Sequence, residues 1–430
     1  MTSSKHCPNA NQLPRSVDRR AMIQKTASLA LAGVVVAPFH VSARTPASVA
    51  LDRVLKKHVE SKSVPFTVGM VANSREIIYQ GQYGDAAPGV AAHPATMMRI
   101  FSMTKAIGAV AGMILIERGT LDFDTPVREI IPEFSEIQVL DRYEGDKPIF
   151  RTPASPVLVR HLATHTSGLS YDQWNAKMKR WSDDTKNPGL LSGKREYLFT
   201  PLMFDPGTQW SYGTGIDWIG EIVEKIDGRS IDVFCREEIF EPLRLNDTVF
   251  EIDAERESRL AQVKSRSSSG DLLEVRIRPP SHPETYGMGH ALYSTPSDYL
   301  RFCRAILGRG HLDGNRVLKS ESVTRMLASH SRGIQMQKMR SLAPGASADF
   351  DPFPEVPKTF SFGFMRNEQN VPGMRSVGSQ SWAGICNTHF WIDPEKDIAA
   401  VLMTQTLPFA DPRFMALYAD FERSVYQHVT

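Results

Sequence analysis

Four cysteines in 430 residues are too few to hold a fold together by disulfides. Cys235, Cys303 and Cys386 each stand among apolar or aromatic neighbours without Cys-x-x-Cys spacing, which reads as buried free thiols. An excess of one charge is missing as well: 50 Lys and Arg balance 48 Asp and Glu, leaving a formal +2. No global field is available to hold a nucleic-acid backbone or an anionic bilayer, so the expected partner is a small molecule and not a nucleic acid. None of the 12 histidines forms His-Glu-x-x-His and no His/Cys group has ligand spacing, so neither a metal nor another cofactor is implied. The apolar stretch Ala27 to Ala37 falls short of the roughly 20 residues that span a bilayer. Stable membrane insertion is therefore not expected.

What remains is an ordinary globular composition, 41% hydrophobic and 23% charged, in a chain long enough for a large core. The first residues are polar and basic, and Arg19-Arg20 precede the short apolar stretch. Val41-Ser42-Ala43 places small residues where a signal peptidase cuts. Residues 1–43 thus read as a leader resembling a bacterial twin-arginine signal, with a periplasmic location for the mature chain. Cleavage there removes Cys7.

Beyond the leader, Thr67–Val71 and Glu76–Tyr79 read as an antiparallel hairpin around Asn73-Ser74. From Ser102 to Arg118 the chain is apolar on nearly every side, with Gly119 as a stop signal, which predicts a buried central helix. Residues 126–279 read as mostly helical, including Asp217–Ile226 and Asp232–Phe240, and a helix over Pro296–Leu307 is capped by Ser294 or Thr295. Strands return at Thr388–Ile392 and Ile398–Met403, followed by a closing helix near Arg413–His428. The expected organisation is an α/β domain from 45–125 and 280–430 interrupted by a mostly helical insertion at 126–279. Residues 335–358 lack periodicity and predict a long surface loop, a candidate cover for a site.

The chemistry begins at Ser102-Met103-Thr104-Lys105. A spacing of three puts hydroxyl and amine on one helical face, one turn apart. Serine is a weak nucleophile until a base takes its proton, and a lysine serves as that base when burial and a helix N-terminus disfavour its charge. A capped helix start with a solvated lysine is the plainer alternative, but the apolar helix after Lys105 offers few polar neighbours. No Gly-x-Ser-x-Gly is present, which removes the usual strand–turn–helix esterase elbow.

Three segments in succession then resemble a known family: Ser102-Met103-Thr104-Lys105, Leu158-Val159-Arg160-His161-Leu162-Ala163-Thr164-His165-Thr166-Ser167-Gly168-Leu169, and Pro206-Gly207-Thr208-Gln209-Trp210-Ser211-Tyr212. With Leu292-Tyr293-Ser294-Thr295 and the run Trp391 to Asp397, they are similar to the serine β-lactamase-related superfamily, most of all its class C-like branch and bacterial carboxylesterases. That resemblance implies a β-lactamase/transpeptidase-like α/β (α+β) fold, an antiparallel sheet flanked by helices. It also implies Ser102 as acyl-accepting nucleophile, Lys105 as its base partner and Tyr212 as a second proton carrier. Thr214 stands near the family's third polar position, which is often Asn or Ser. The backbone amides of Ser102 and Ile385 become the oxyanion hole, and Trp382, Ala383 and Gly384 line the substrate site where β-lactamases carry Lys-Thr-Gly. No cation stands in that motif, although Arg375 lies close enough in sequence to be a suspect for binding a carboxylate. His161 and His165 belong, by the same resemblance, to a structural turn.

The expected activity is cleavage of small-molecule carboxylic esters through a Ser102 acyl-enzyme. D,D-peptidase, D-amino-acid amidase and weak β-lactamase activities share the nucleophile and remain alternatives. A binding protein of the same fold without catalysis is the alternative of another class.

Overall fold

The computed structural model describes residues 45–429, so the expected leader and Cys7 lie outside the described residues. The architecture follows from two kinds of segment. The strands Phe66–Ala72, Thr388–Asp393 and Ile398–Met403 are buried along their length, whereas the helix between Thr104 and Arg118 is buried all around as far as Ile116.

That helix, α2, is preceded in the chain by α1 (Pro46–Glu60) and by strands β1 (Phe66–Ala72), β2 (Ile77–Ala87) and β3 (Val90–Ala91). No charged residue occurs from Ala106 to Ile116, and a helix apolar on all faces must be enclosed on all faces. Every residue from Thr104 to Ile116 is buried. Gly119 ends the helix in the left-handed region at φ 75°, where a side chain is disfavoured.

Five later strands complete the main sheet: β4 (Lys358–Phe360), β5 (Met365–Asn367), β6 (Gln380–Gly384), β7 (Thr388–Asp393) and β8 (Ile398–Met403). The order is β4-β5-β6-β7-β8-β1-β2-β3, antiparallel throughout. Side chains alternate across a strand, and β8 shows the result. Ala399, Val401 and Met403 enter one apolar cluster, while Ile398, Ala400 and Leu402 enter the other. Helix α4 (Pro296–Leu307) packs over β7, β8 and β1 on the first face, and α1 with α5 (Pro412–His428) covers the second. The cap of α4 is Thr295, whose hydroxyl accepts the Asp298 N–H at 3.2 Å.

The expected β-lactamase/transpeptidase-like sheet with flanking helices is the fold observed. Two details differ, one in the segment 126–279 and one at the central helix. The segment 126–279 includes helix α3 (Gly215–Asp227). It also contains an unexpected hairpin, Val139–Glu144 with Lys147–Arg151, turning at Gly145 with φ 62°. Its strands are short and largely solvent-facing, so charged Asp141, Arg142 and Glu144 hide the alternation that marks a half-buried strand. The central helix begins at Thr104 and not at Ser102, because Phe101–Met103 form a 3-10 turn with Phe101 at φ 41°. Positive φ in a non-glycine residue costs of order 1–3 kcal/mol, and the packing of Phe101 with Val263, Cys386 and Leu407 holds it in place. Cys235, Cys303 and Cys386 are buried and free.

Candidate active site

The strained turn at Phe101 delivers Ser102, half-buried, to the wall of a cavity of ≈ 140 Å³. One helical turn on, Lys105 is 1% exposed and reaches back with its amine. Lys105 Nζ lies 3.4 Å from Ser102 Oγ, 3.0 Å from the Tyr171 hydroxyl and 2.9 Å from the Gly289 carbonyl oxygen. Tyr212 enters from the segment before α3, and Lys105 Nζ sits 4.8 Å from its ring centroid. The phenol oxygen bonded to Lys105 is thus that of Tyr171, while the Tyr212 oxygen accepts the Trp382 Nε1–H at 3.1 Å. Burial, reinforced by Asp217 and Tyr212, pushes the Tyr171 phenol well above its ordinary range, so it stays a neutral hydroxyl.

Strand β6 forms the opposite wall with Trp382 and Ala383, and Ile385 follows its end. Gly384 permits this approach. A Cβ there would stand 2.2 Å from the Ile100 carbonyl oxygen, so a side chain would force the strand off the turn that carries Ser102. Among the described residues, the amides of Ser102 and Ile385 have no backbone hydrogen-bond partner. Two such donors, on residues that line one cavity with the Ser102 hydroxyl, are of the kind that can receive an oxyanion.

The other sequence candidates fall as follows. Thr214 is buried at the start of α3 with its hydroxyl unpartnered, and it is not among the cavity-lining residues. Arg375 is not a carboxylate receptor of the site. It is buried against Glu422 of α5, shares a hydrogen bond with Tyr418, and lies 5.4 Å from the Trp391 ring in the cluster on the other face of the sheet. Its charge is already neutralised by the partner that made its burial tolerable. His161 Nδ1 accepts the Leu158 N–H at 3.2 Å, and burial pushes that imidazole down to about 4. His165 packs its ring 4.8 Å from that of Tyr212 and is held neutral by burial and then by Lys105. Both shape the turn. From the 335–358 loop comes Met339, which lines the cavity, while Phe350 packs edge-on against Trp382.

Sequence reasoning missed three residues. Tyr171 lies two positions beyond the Ser167-Gly168-Leu169 signature, close enough for that motif to have pointed to it. Asp217 and His290 gave no local signal. Asp217, 2% exposed in the first turn of α3, accepts from the Tyr197 hydroxyl and the Gly289 N–H, both at 2.9 Å, and lies 3.5 Å from His290 Nδ1. Burial opposes its ionisation, but His290, Lys105 and the Gly289 amide together hold its carboxyl below the usual range. Among the described residues no group of three His, Cys, Asp or Glu side chains is arranged to hold a metal.

The family model described as Beta-lactamase matches residues 51–424. The chain belongs to the beta-lactamase family. Within this family it is similar to the acyltransferase calJ of Penicillium decumbens, 29% identical over 74% of this chain and 77% of that protein. It is also similar to the lovastatin esterase of Penicillium rubens, 28% identical over 77% and 85% respectively. Among solved structures, unliganded simvastatin synthase (LovD) from Aspergillus terreus shares the fold with a TM-score of 0.75 at 23% identity, over 89% of this chain and 98% of that one.

Proposed function

We propose that this beta-lactamase-family chain is a serine carboxylesterase of the class C-like branch, acting on small-molecule esters through an acyl-enzyme on Ser102. The observation that carries this reading is the buried Lys105 amine 3.4 Å from the hydroxyl of Ser102, which lines a cavity of mostly aromatic and aliphatic side chains with Asp172 at its wall and, among the described residues, no lysine or arginine lining it. Ser102 Oγ attacks the ester carbonyl as Lys105 takes its proton. The amides of Ser102 and Ile385 receive the developing oxyanion, a contribution typically worth 10²–10³-fold for one donor. Tyr212 hands a proton to the departing alcohol. Trp382, Ala383 and Gly384 present an apolar surface to the acyl or alcohol group, which suits a neutral substrate better than a carboxylate.

Transfer of the acyl group to an alcohol in place of water is a second reading, supported by the acyltransferase among the relatives. Peptidase and β-lactamase activities are less supported, because their substrates bring a carboxylate that no cation on the wall would pair with. Export by the twin-arginine leader to the periplasm is part of the same proposal. The test is turnover of 4-nitrophenyl butyrate by wild type and Ser102→Ala, with mass spectrometry for a butyryl group on Ser102. Undiminished hydrolysis by Ser102→Ala, with contaminating esterase excluded, overturns the assignment.

A further inference from the structure

Among the described residues that line the cavity, one, Asp172, bears a carboxylate, and none is a lysine or arginine. Its place is set by the segment around it. Tyr171 donates its backbone N–H to the Tyr212 carbonyl oxygen at 3.0 Å, and the Trp174 N–H returns to the Tyr171 carbonyl at 3.1 Å. Residues 171–174 thus form a turn alongside Tyr212, with Asp172 and Gln173 at its two central positions. The 335–358 loop holds this turn as well, through the Leu342 N–H on the Gln173 carbonyl at 3.0 Å. Asp172 is therefore fixed next to Tyr171, whose hydroxyl meets the Lys105 amine at 3.0 Å, with the two Cα atoms ~3.8 Å apart.

This carboxylate is exposed, and its charge is not spent within the protein. Oδ1 accepts the Gln173 N–H at 2.8 Å, and among the described residues no base is paired with it. Lys179, which feels its charge, is paired with Asp183 at 2.8 Å. Inside the site, Lys105 and His290 both bear on the buried Asp217 carboxylate, so neither is matched to Asp172. Trp174 and Trp382 line the same cavity. The rings of Tyr171 and Tyr212 already face the Lys105 amine, at 5.1 and 4.8 Å from their centroids, whereas among the described residues neither indole has a cation over it. Aromatic faces beside an unpaired carboxylate attract an organic cation, by the ring quadrupole and by Coulomb's law together. The turn is joined to Tyr212, which in the scheme above serves the departing alcohol, and that fixes the part of the substrate it meets.

Resting on the acyl-enzyme reading, we infer that the alcohol group of the substrate carries a positive charge, a quaternary or protonated amine, and that Asp172 is the residue that selects it. Trp174 supplies the ring against which the cation packs. The acyl group needs no charge, and an anionic alcohol group is repelled by the same carboxylate.

The experiment compares butyrylcholine with 3,3-dimethylbutyl butyrate, in which carbon replaces the nitrogen, by pH-stat titration of the butyric acid released. The ratio of kcat/KM is divided by the ratio of the two rates of hydrolysis by hydroxide, which removes the inductive effect of the ammonium. Wild type at low salt is expected to favour butyrylcholine about tenfold after this correction. Asp172→Asn removes the charge at nearly constant size and should cut the preference by about threefold, and Trp174→Leu by a similar factor. Salt at about 0.5 M should act on wild type as Asp172→Asn does, because the carboxylate is exposed. Asp184→Asn removes an exposed carboxylate outside the cavity and should leave the preference in place. No preference in wild type, an undiminished preference in Asp172→Asn, or an equal loss in Asp184→Asn overturns the inference. Failure of the underlying reading looks different: wild type then turns over neither 3,3-dimethylbutyl butyrate nor 4-nitrophenyl butyrate, and a fluorophosphonate leaves Ser102 unlabelled. Turnover of both neutral esters without a preference for the cation removes only the role of Asp172.

Discussion

The indole nitrogen of Trp382 donates to the hydroxyl oxygen of Tyr212 across 3.1 Å, joining positions 170 residues apart in the chain. A neutral N–H thus reaches the phenol from the β6 wall of the cavity. It orients the phenol without adding charge to the cavity.

Trp382→Phe keeps most of the aromatic wall and removes that donor. A single neutral hydrogen bond is worth about 0.5–1.5 kcal/mol net, so kcat for 4-nitrophenyl butyrate is expected to fall by up to about tenfold with little change in KM. A variant that alters KM alone would mean that the indole serves binding and not the phenol.

Ser102→Ala should leave the protein folded, since among the described residues its hydroxyl's one side-chain hydrogen bond is the 3.4 Å approach of Lys105 Nζ. Loss of one such contact costs no more than about 1.5 kcal/mol. Thermal unfolding should move by a few degrees at most while turnover disappears.

Neutral esters should be far better substrates than nitrocefin, and kcat/KM for the two with one purified sample measures this. Arg375 offers no rescue, because it is buried in the pair with Glu422. Arg375→Lys loses the planar fork that this pairing uses, so it should lower Tm and leave the ester-to-nitrocefin ratio unchanged. A shift in that ratio would reconnect Arg375 to the cavity.

Acid should destabilise the protein below the ordinary imidazole range. Burial, and secondarily Arg375, push His389 down from 6.5 to about 3. Above pH 6.5 the imidazole is neutral whether the chain is folded or not. As pH falls below 6.5 the unfolded chain takes up a proton that the folded one refuses, so stability declines towards pH 3 by about 1.4 kcal/mol per pH unit for this group. His389 packs among Phe409, Phe414 and Tyr418. His389→Phe should therefore flatten the acid limb of a plot of unfolding free energy against pH. An unchanged slope would assign the acid sensitivity elsewhere.

For export, a precursor with Arg19→Lys and Arg20→Lys keeps its charge but loses the twin arginines. It should stay in the cytoplasm, as followed by cell fractionation. Normal periplasmic yield would indicate another route.

The sequence made the central helix legible because an all-apolar run leaves no solvent-facing side, and the Ser102, Lys105 and Tyr212 set legible because each sits in a recognisable local motif. Asp217 and His290 were not legible. Nothing near either residue marks it, and their relation exists only once α3 lies beside the chain that carries Gly287 to Gly289. Thr214 shows the converse limit: a suitable hydroxyl at a motif position was turned into the protein when its residue became the cap position of α3. The role suspected for Arg375 failed because sequence proximity does not say which face of a sheet a side chain takes.

Helix α5 runs beneath the sheet from the β7 residue His389, near its start, to Asp393, whose carboxylate accepts from the Tyr426 hydroxyl at 2.9 Å. Gly384 pairs with Thr388 at the opposite end of the β6–β7 ladder, so the final turn of the helix stands about one strand length, ~17 Å, from the cavity end. A support or fusion partner attached after this helix would therefore hold the molecule at the end of the ladder remote from Ile385 and its wall of the cavity.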